Sequence, residues 1–116
     1  SQVNLVLDVR VNECYTNQEI ADIVSQAPCE VTPRSLRLQS SSIDKEHPLV
    51  VAGIAMGRNT YGSPTLSDQA ALSCPSLKLG PGDSTRSHTA DEFIYTDEIK
   101  EAIRLYIELL DQVITS

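Results

Sequence analysis

Aromatic side chains are scarce in this chain. There is no Trp and one Phe, and four Tyr supply the rest. A core built on large rings is therefore excluded, and Val, Ile, Leu and Ala must carry burial. No apolar run approaches the roughly 20 residues that a membrane-spanning helix needs. Basic residues are outnumbered: nine Lys and Arg face sixteen Asp and Glu, for a formal charge of −7. Scattered cations on an acidic chain argue against a nucleic-acid surface, which clusters Lys and Arg. The three cysteines, Cys14, Cys29 and Cys74, form no C-x-x-C pair, and their odd number speaks against a disulfide framework. Reduced thiols in a cytoplasmic protein are the simple expectation. Clustered cysteine ligands for a metal are absent from the spacing.

What is present is a globular composition, 41% hydrophobic over 116 residues, enough for one compact domain or two partial ones. There is neither an initiator Met nor a signal peptide, and a strand-like pattern begins almost at once. A fragment of a longer protein is the expectation.

Residues 3–11 alternate, with Val3, Leu5, Leu7, Val9 and Val11 on one face and Asn4, Asp8 and Arg10 on the other. This period of two predicts a half-buried strand. Thr16 and Glu19 have the spacing of a capping box, and Ile20, Ile23, Val24 and Ala27 form a helical stripe that Pro28 ends. A second strand is expected over 35–39, where Leu36 and Leu38 alternate with Arg37 and Gln39. Strand, helix and strand in this order make half of a small α/β sandwich. The polar stretch 39–44 reads as a linker.

Beyond Pro48, residues 49–57 predict a short buried helix ending at Gly57. Ser67 or Asp68 is placed to cap a brief helix through Ala70 and Leu72, and 76–79 reads as a short strand entering a glycine-containing loop. The last element is the clearest helix. It starts near Thr96 and sets Ile99, Ala102, Ile103, Tyr106, Ile107, Leu110, Val113 and Ile114 on one face. No internal repeat is visible.

Chemistry concentrates in 79–92, LGPGDSTRSHTADE. Gly80 and Gly82 let a backbone pass close to a ligand, and loops after strand ends carry sites in α/β folds. The loop offers Asp83, Ser84, Arg86, Ser87, His88, Asp91 and Glu92. A lone His is more often a hydrogen-bonded surface residue than a metal ligand. A Ser–His–Asp arrangement on Ser84 or Ser87 lacks the G-x-S-x-G elbow, and GPGDS lacks the Lys of a phosphate loop.

The string PSLKLGPGDSTRSHTADEFI, with YGSPTLSDQAAL upstream, closely resembles the C-terminal part of the acetylornithine deacetylase and succinyl-diaminopimelate desuccinylase family of two-zinc peptidases. The likeness is strongest to acyl-ornithine deacylases. LDVRVNECYTNQE and PRSLRLQSSSID resemble the second half of that family's lid, or dimerisation, domain. The resemblance implies an α/β fold: half of a lid sandwich over 1–42, then the C-terminal part of a zinc-peptidase-like catalytic domain over 43–116.

It also implies a metal-dependent deacylation of N-acyl amino acids, N-acetyl- or N-succinyl-ornithine, in arginine biosynthesis. Two zinc ions per site, replaceable by cobalt, and a homodimer formed through the lid come with it. His88 matches the last metal ligand. Gly80, Pro81 and Gly82, with Asp83 and Ser84, match the loop lining the substrate pocket. Arg37, or alternatively Arg34, occupies the lid segment that reaches a substrate carboxylate, a task suited to the guanidinium fork. Ser67 and Asp68 match a turn that supports the pocket or serves packing and capping.

The family's His-x-Asp pair, bridging Asp, adjacent Glu–Glu and further acidic ligand have no counterpart. His47 is followed by Pro48 and Leu49 and does not supply His-x-Asp. The chain alone is therefore expected to be inactive. A non-catalytic dimerisation or interaction module is the alternative, with 3–11 as an edge open to association.

Overall fold

A computed structural model describes residues 1–115. Three α-helices carry its regular structure: α1 (Asn17–Val24), α2 (Pro48–Ala55) and α3 (Thr96–Ile114). Two short 3-10 turns, Asp68–Ala71 and Ser84–Arg86, lie between α2 and α3 in sequence. The chain divides into two compact units, one made of 1–43 and 62–77, the other of 44–61 and 78–115.

The expected α/β architecture is corrected. Among the described residues there is no strand, so neither a half sandwich nor a sheet-based catalytic part is formed. A strand is stabilised by a neighbour that takes up its N–H and C=O groups, and alternation alone supplies no neighbour. From Val3 to Val9 the apolar positions face solvent instead, Val3 being 90% exposed and Leu5 79%, and Val11 alone is half-buried. Residues 35–39 and 76–79 likewise lie outside any strand.

In the first unit, the capping box at α1 forms. The Glu19 N–H donates to Thr16 Oγ1 at 3.2 Å, and the Thr16 N–H donates to Glu19 Oε2 at 2.7 Å. The Thr16 backbone bond, then its hydroxyl, hold the Glu19 carboxyl below its ordinary range. The helix closes at Val24, and looser turns carry the chain on toward Pro28, with Ala27 N–H donating to the Val24 carbonyl at 3.0 Å.

The segment after α1 is tied back by one side chain. Asn17 Nδ2 donates to the Leu36 carbonyl at 2.9 Å and to the Leu38 carbonyl at 2.7 Å. The Gln39 N–H reaches the Ala70 carbonyl at 3.2 Å, and Ala70 is the buried residue of the Asp68–Ala71 turn. No side-chain cap precedes that turn at Ser67.

In the second unit, α2 starts on Pro48, whose missing N–H costs nothing at that position. His47 caps it: the Leu49 N–H donates to His47 Nδ1 at 3.2 Å. The helix ends in a Schellman turn. The Gly57 N–H bonds to the Ile54 carbonyl at 2.9 Å, and the Arg58 N–H to the Gly53 carbonyl at 3.0 Å. Gly57 adopts φ +80, the left-handed value that this ending requires.

α2 buries Val50 and Ala52, α3 buries Ala102, Leu105 and Leu109, and the two helices pack together. The buried face of α3 is thus not the one its sequence pattern picks out. Ala102 lies on both, but Ile99, Ile103, Ile107, Leu110 and Ile114 face outward. No described helix is long and apolar enough to cross a membrane.

Candidate functional site: the 79–95 loop

The loop is built onto the first turn of α3. Its entry is held by Tyr106, whose hydroxyl donates to the Leu79 carbonyl at 2.6 Å. Residues 79–82 then line a small cleft of about 150 Å³ together with Arg58, Glu98, Glu101 and Leu105. Gly82 adopts φ +81, and a Cβ there would stand 3.3 Å from Ile94 Cδ1. The left-handed φ is what favours glycine at position 82, and a Cβ there would also require the Ile94 side chain to shift by a few tenths of an ångström. Gly80 has open space where a Cβ would sit and no positive φ.

Asp83 caps the Ser84–Arg86 turn. Its Oδ1 accepts from the Thr85 N–H at 2.8 Å and from the Thr85 hydroxyl at 2.7 Å. Those two bonds, the backbone one foremost, hold the Asp83 carboxyl below its ordinary range.

Arg86 is the centre of the loop. Its Nη1 donates to Glu98 Oε2 at 3.0 Å and its Nη2 to Glu98 Oε1 at 2.5 Å. Its guanidinium lies 5.0 Å from the Phe93 ring centroid and 5.4 Å from that of Tyr95. The two rings meet edge to face at 5.3 Å. A cation beside two π-faces gains from both. Glu98 does a second job, its Oε2 accepting from the Tyr95 N–H at 3.0 Å, one of the amides that α3 leaves unpaired at its start. Hydrogen bonding from Arg86 first, then from the Tyr95 amide, depresses the Glu98 carboxyl. The same pair raises the Arg86 guanidinium.

His88 stands at the crest, exposed and with φ 60, the single non-glycine residue at positive φ among those described. Its N–H donates to Glu92 Oε2 at 3.2 Å, and Thr89 Oγ1 donates to the Arg86 carbonyl at 2.7 Å. The structure thus gathers Gly80, Pro81, Gly82, Asp83, Ser84 and His88 on one loop of the second unit. Arg34 and Arg37 belong to the first unit, where both are exposed.

A resident zinc pair does not fit what these residues provide. Among the described residues no group of three His, Cys, Asp or Glu is arranged to hold a metal ion. Useful zinc sites present three or four ligands. His47, the other histidine, spends its Nδ1 on the α2 cap.

Sequence reasoning passed over the Arg86–Glu98 clasp and its two rings. Its signal was visible in part, because Glu98 occupies the third position of α3, where a carboxylate reaches back to a free amide. No family model and no curated protein matches this chain.

Proposed function

We propose that this chain is part of a metal-dependent amidohydrolase of the cytoplasm that removes the acyl group from N-acyl amino acids, N-acetyl- or N-succinyl-ornithine in arginine biosynthesis. The observation that carries the reading is the 79–92 string with His88 exposed at the crest of its loop. In it His88 is one ligand of a site whose other ligands lie outside these residues. The turn at 80–84 lines the pocket for the substrate, and Arg37 or Arg34 meets a substrate carboxylate.

Because a zinc pair does not fit the described residues alone, no catalytic step is assigned to them, and the isolated chain is inactive in this reading. The test is amine release from N-acetylornithine and N-succinylornithine with zinc or cobalt in excess. It is run on the chain alone and on a longer polypeptide that also carries His-x-Asp and Glu–Glu motifs. Release by the longer form only, abolished there by His88→Ala, supports the reading. Turnover by the chain alone overturns its incompleteness, and an inactive longer form overturns the family.

A second reading is favoured by one observation, the outward-facing apolar positions from Val3 to Val9. In that reading the chain is a non-catalytic interaction module that pairs through this segment. Deleting 3–11 then abolishes association, and no longer form gains deacylase activity.

A further inference from the structure

The cleft beside the 79–82 turn carries the charges of Arg58, Glu98 and Glu101. Glu98 is fully engaged, since both of its oxygens accept from Arg86 and one also takes the Tyr95 N–H. Arg58 and Glu101 are held far more loosely. Their bond, from Nη2 to Oε1, is 3.4 Å long, and the two side chains are 44% and 71% exposed. A well-made bond between such charges closes to about 2.7–2.9 Å, and an exposed pair of this kind holds weakly. Among the described residues the Arg58 guanidinium makes this one hydrogen bond, which leaves the rest of its donors open.

Arg58 is nevertheless fixed in position, through its backbone. Its N–H closes the end of α2 on the Gly53 carbonyl at 3.0 Å, behind Gly57 at φ +80. The side chain has no part in that closure. Across the cleft, Gly80 has open space where a Cβ would stand, so its backbone can be approached closely. Ala102 and Leu105, 7% and 9% exposed, supply an apolar wall.

With Glu98 neutralised by Arg86, the cleft presents one cation and one anion beside that wall. A ligand bearing a carboxylate and an ammonium joined by a few methylenes matches all three features. An N-acyl ornithine is such a molecule, with an α-carboxylate at one end and a δ-ammonium at the other. The guanidinium fork of Arg58 suits the carboxylate, and Glu101 can accept from the ammonium. The ligand then replaces the long Arg58–Glu101 bond with two shorter ones.

We infer that Arg58 and Glu101 form an amino-acid subsite in the 79–82 cleft, Arg58 taking the α-carboxylate and Glu101 the side-chain ammonium of an N-acyl ornithine. Resting on the deacylase reading for the identity of the substrate, this subsite leaves Arg37 or Arg34 for a second carboxylate, such as that of a succinyl group. Every residue of the subsite lies in the second unit.

The test is a titration of the full chain, isotope-labelled and without metal, with N-acetylornithine. NMR follows the Arg58 Nε–H and the Gly80 and Gly82 amides. Saturable shifts with a Kd of about 1 mM are expected. Arg58→Gln should weaken binding roughly tenfold, with helix content unchanged by circular dichroism because the backbone bond at the end of α2 remains. Glu101→Gln should weaken N-acetylornithine and leave N-acetylcitrulline, whose side chain is uncharged, as it was. Absence of saturable shifts at a ~50-fold excess over that Kd overturns the inference. So does a Kd indifferent to Arg58→Gln, or a Glu101→Gln effect equal for both ligands. In an active longer form, Arg58→Gln should raise KM with kcat nearly unchanged. An unchanged KM there overturns the subsite and leaves the deacylase reading standing. An inactive longer form beside the expected titration overturns that reading and leaves the subsite.

Discussion

Arg86 and Glu98 meet through two parallel hydrogen bonds of 3.0 and 2.5 Å, fork to carboxylate, across twelve residues of chain. This contact fastens the loop bearing His88 to the first turn of α3. Arg86 is held from below by the carboxylate and at its face by the Phe93 and Tyr95 rings. A lysine, with a point charge and no plane, meets neither requirement. Arg86→Lys should therefore behave almost like Arg86→Ala. Both should lower the melting temperature and speed proteolysis within 83–92, read by mass spectrometry of the nicked products.

The same contact gives stability a pH dependence. The Glu98 carboxyl is depressed below its ordinary value of 4.5 in the folded chain. A group so shifted binds its proton more readily when unfolded, so its contribution is present above about 4.5 and is lost as pH falls through the lower folded value. Melting temperature should fall on acidification below that point. Glu98→Gln should remove part of the slope, and a slope identical in the variant would assign the acid sensitivity to Glu19 and Asp83 instead.

Gly82 and Gly80 should respond oppositely to alanine. Gly82→Ala forces a Cβ into the left-handed region and against Ile94, a cost of about 1–2 kcal/mol. Gly80→Ala meets nothing and should stay within about 0.5 kcal/mol of the parent, as exposed substitutions usually do. Urea denaturation of the two variants side by side measures the difference.

Asn17 works through its donor. Asn17→Ala removes two bonds to the Leu36 and Leu38 carbonyls, worth about 1–2 kcal/mol together. Asn17→Asp should be worse at neutral pH, since a carboxylate then faces two carbonyl oxygens with no proton to offer. Amide exchange around Gln39 should quicken in the same order.

The two faces of α3 should also separate by truncation. Leu109, 4% exposed, should cost about 2–3 kcal/mol on Leu109→Ala. Ile107, 65% exposed, should cost well under 1 kcal/mol on Ile107→Ala. Thermal melts of dilute samples make the comparison.

Helices were legible in the sequence because their signals are local. The Thr16–Glu19 box, Pro48 at the start of α2, Gly57 at its end and the apolar period after Thr96 each act within a turn or two of chain. Strands were misread for the opposite reason. The alternation in 3–11 and 35–39 states a preference for an extended, half-covered backbone, but a ladder requires a second segment at the right height, and none pairs with them here.

The polar loop was legible in the density of polar groups between Gly80 and Glu92. Its clasp was not, because Arg86, Phe93, Tyr95 and Glu98 lie at spacings that no single period links. The sequence by itself determined where the three helices begin, the acidic charge and the position of the polar loop, since each follows from neighbours within a few residues; it placed the end of α1 at Pro28, whereas the helix closes at Val24. Only the tertiary structure decided which face of α3 is buried, that position 82 and not 80 favours glycine, and that Glu98 serves both Arg86 and the Tyr95 amide. Those outcomes depend on which distant groups arrive at contact distance, and burial, steric clearance and paired hydrogen bonds are properties of that arrival.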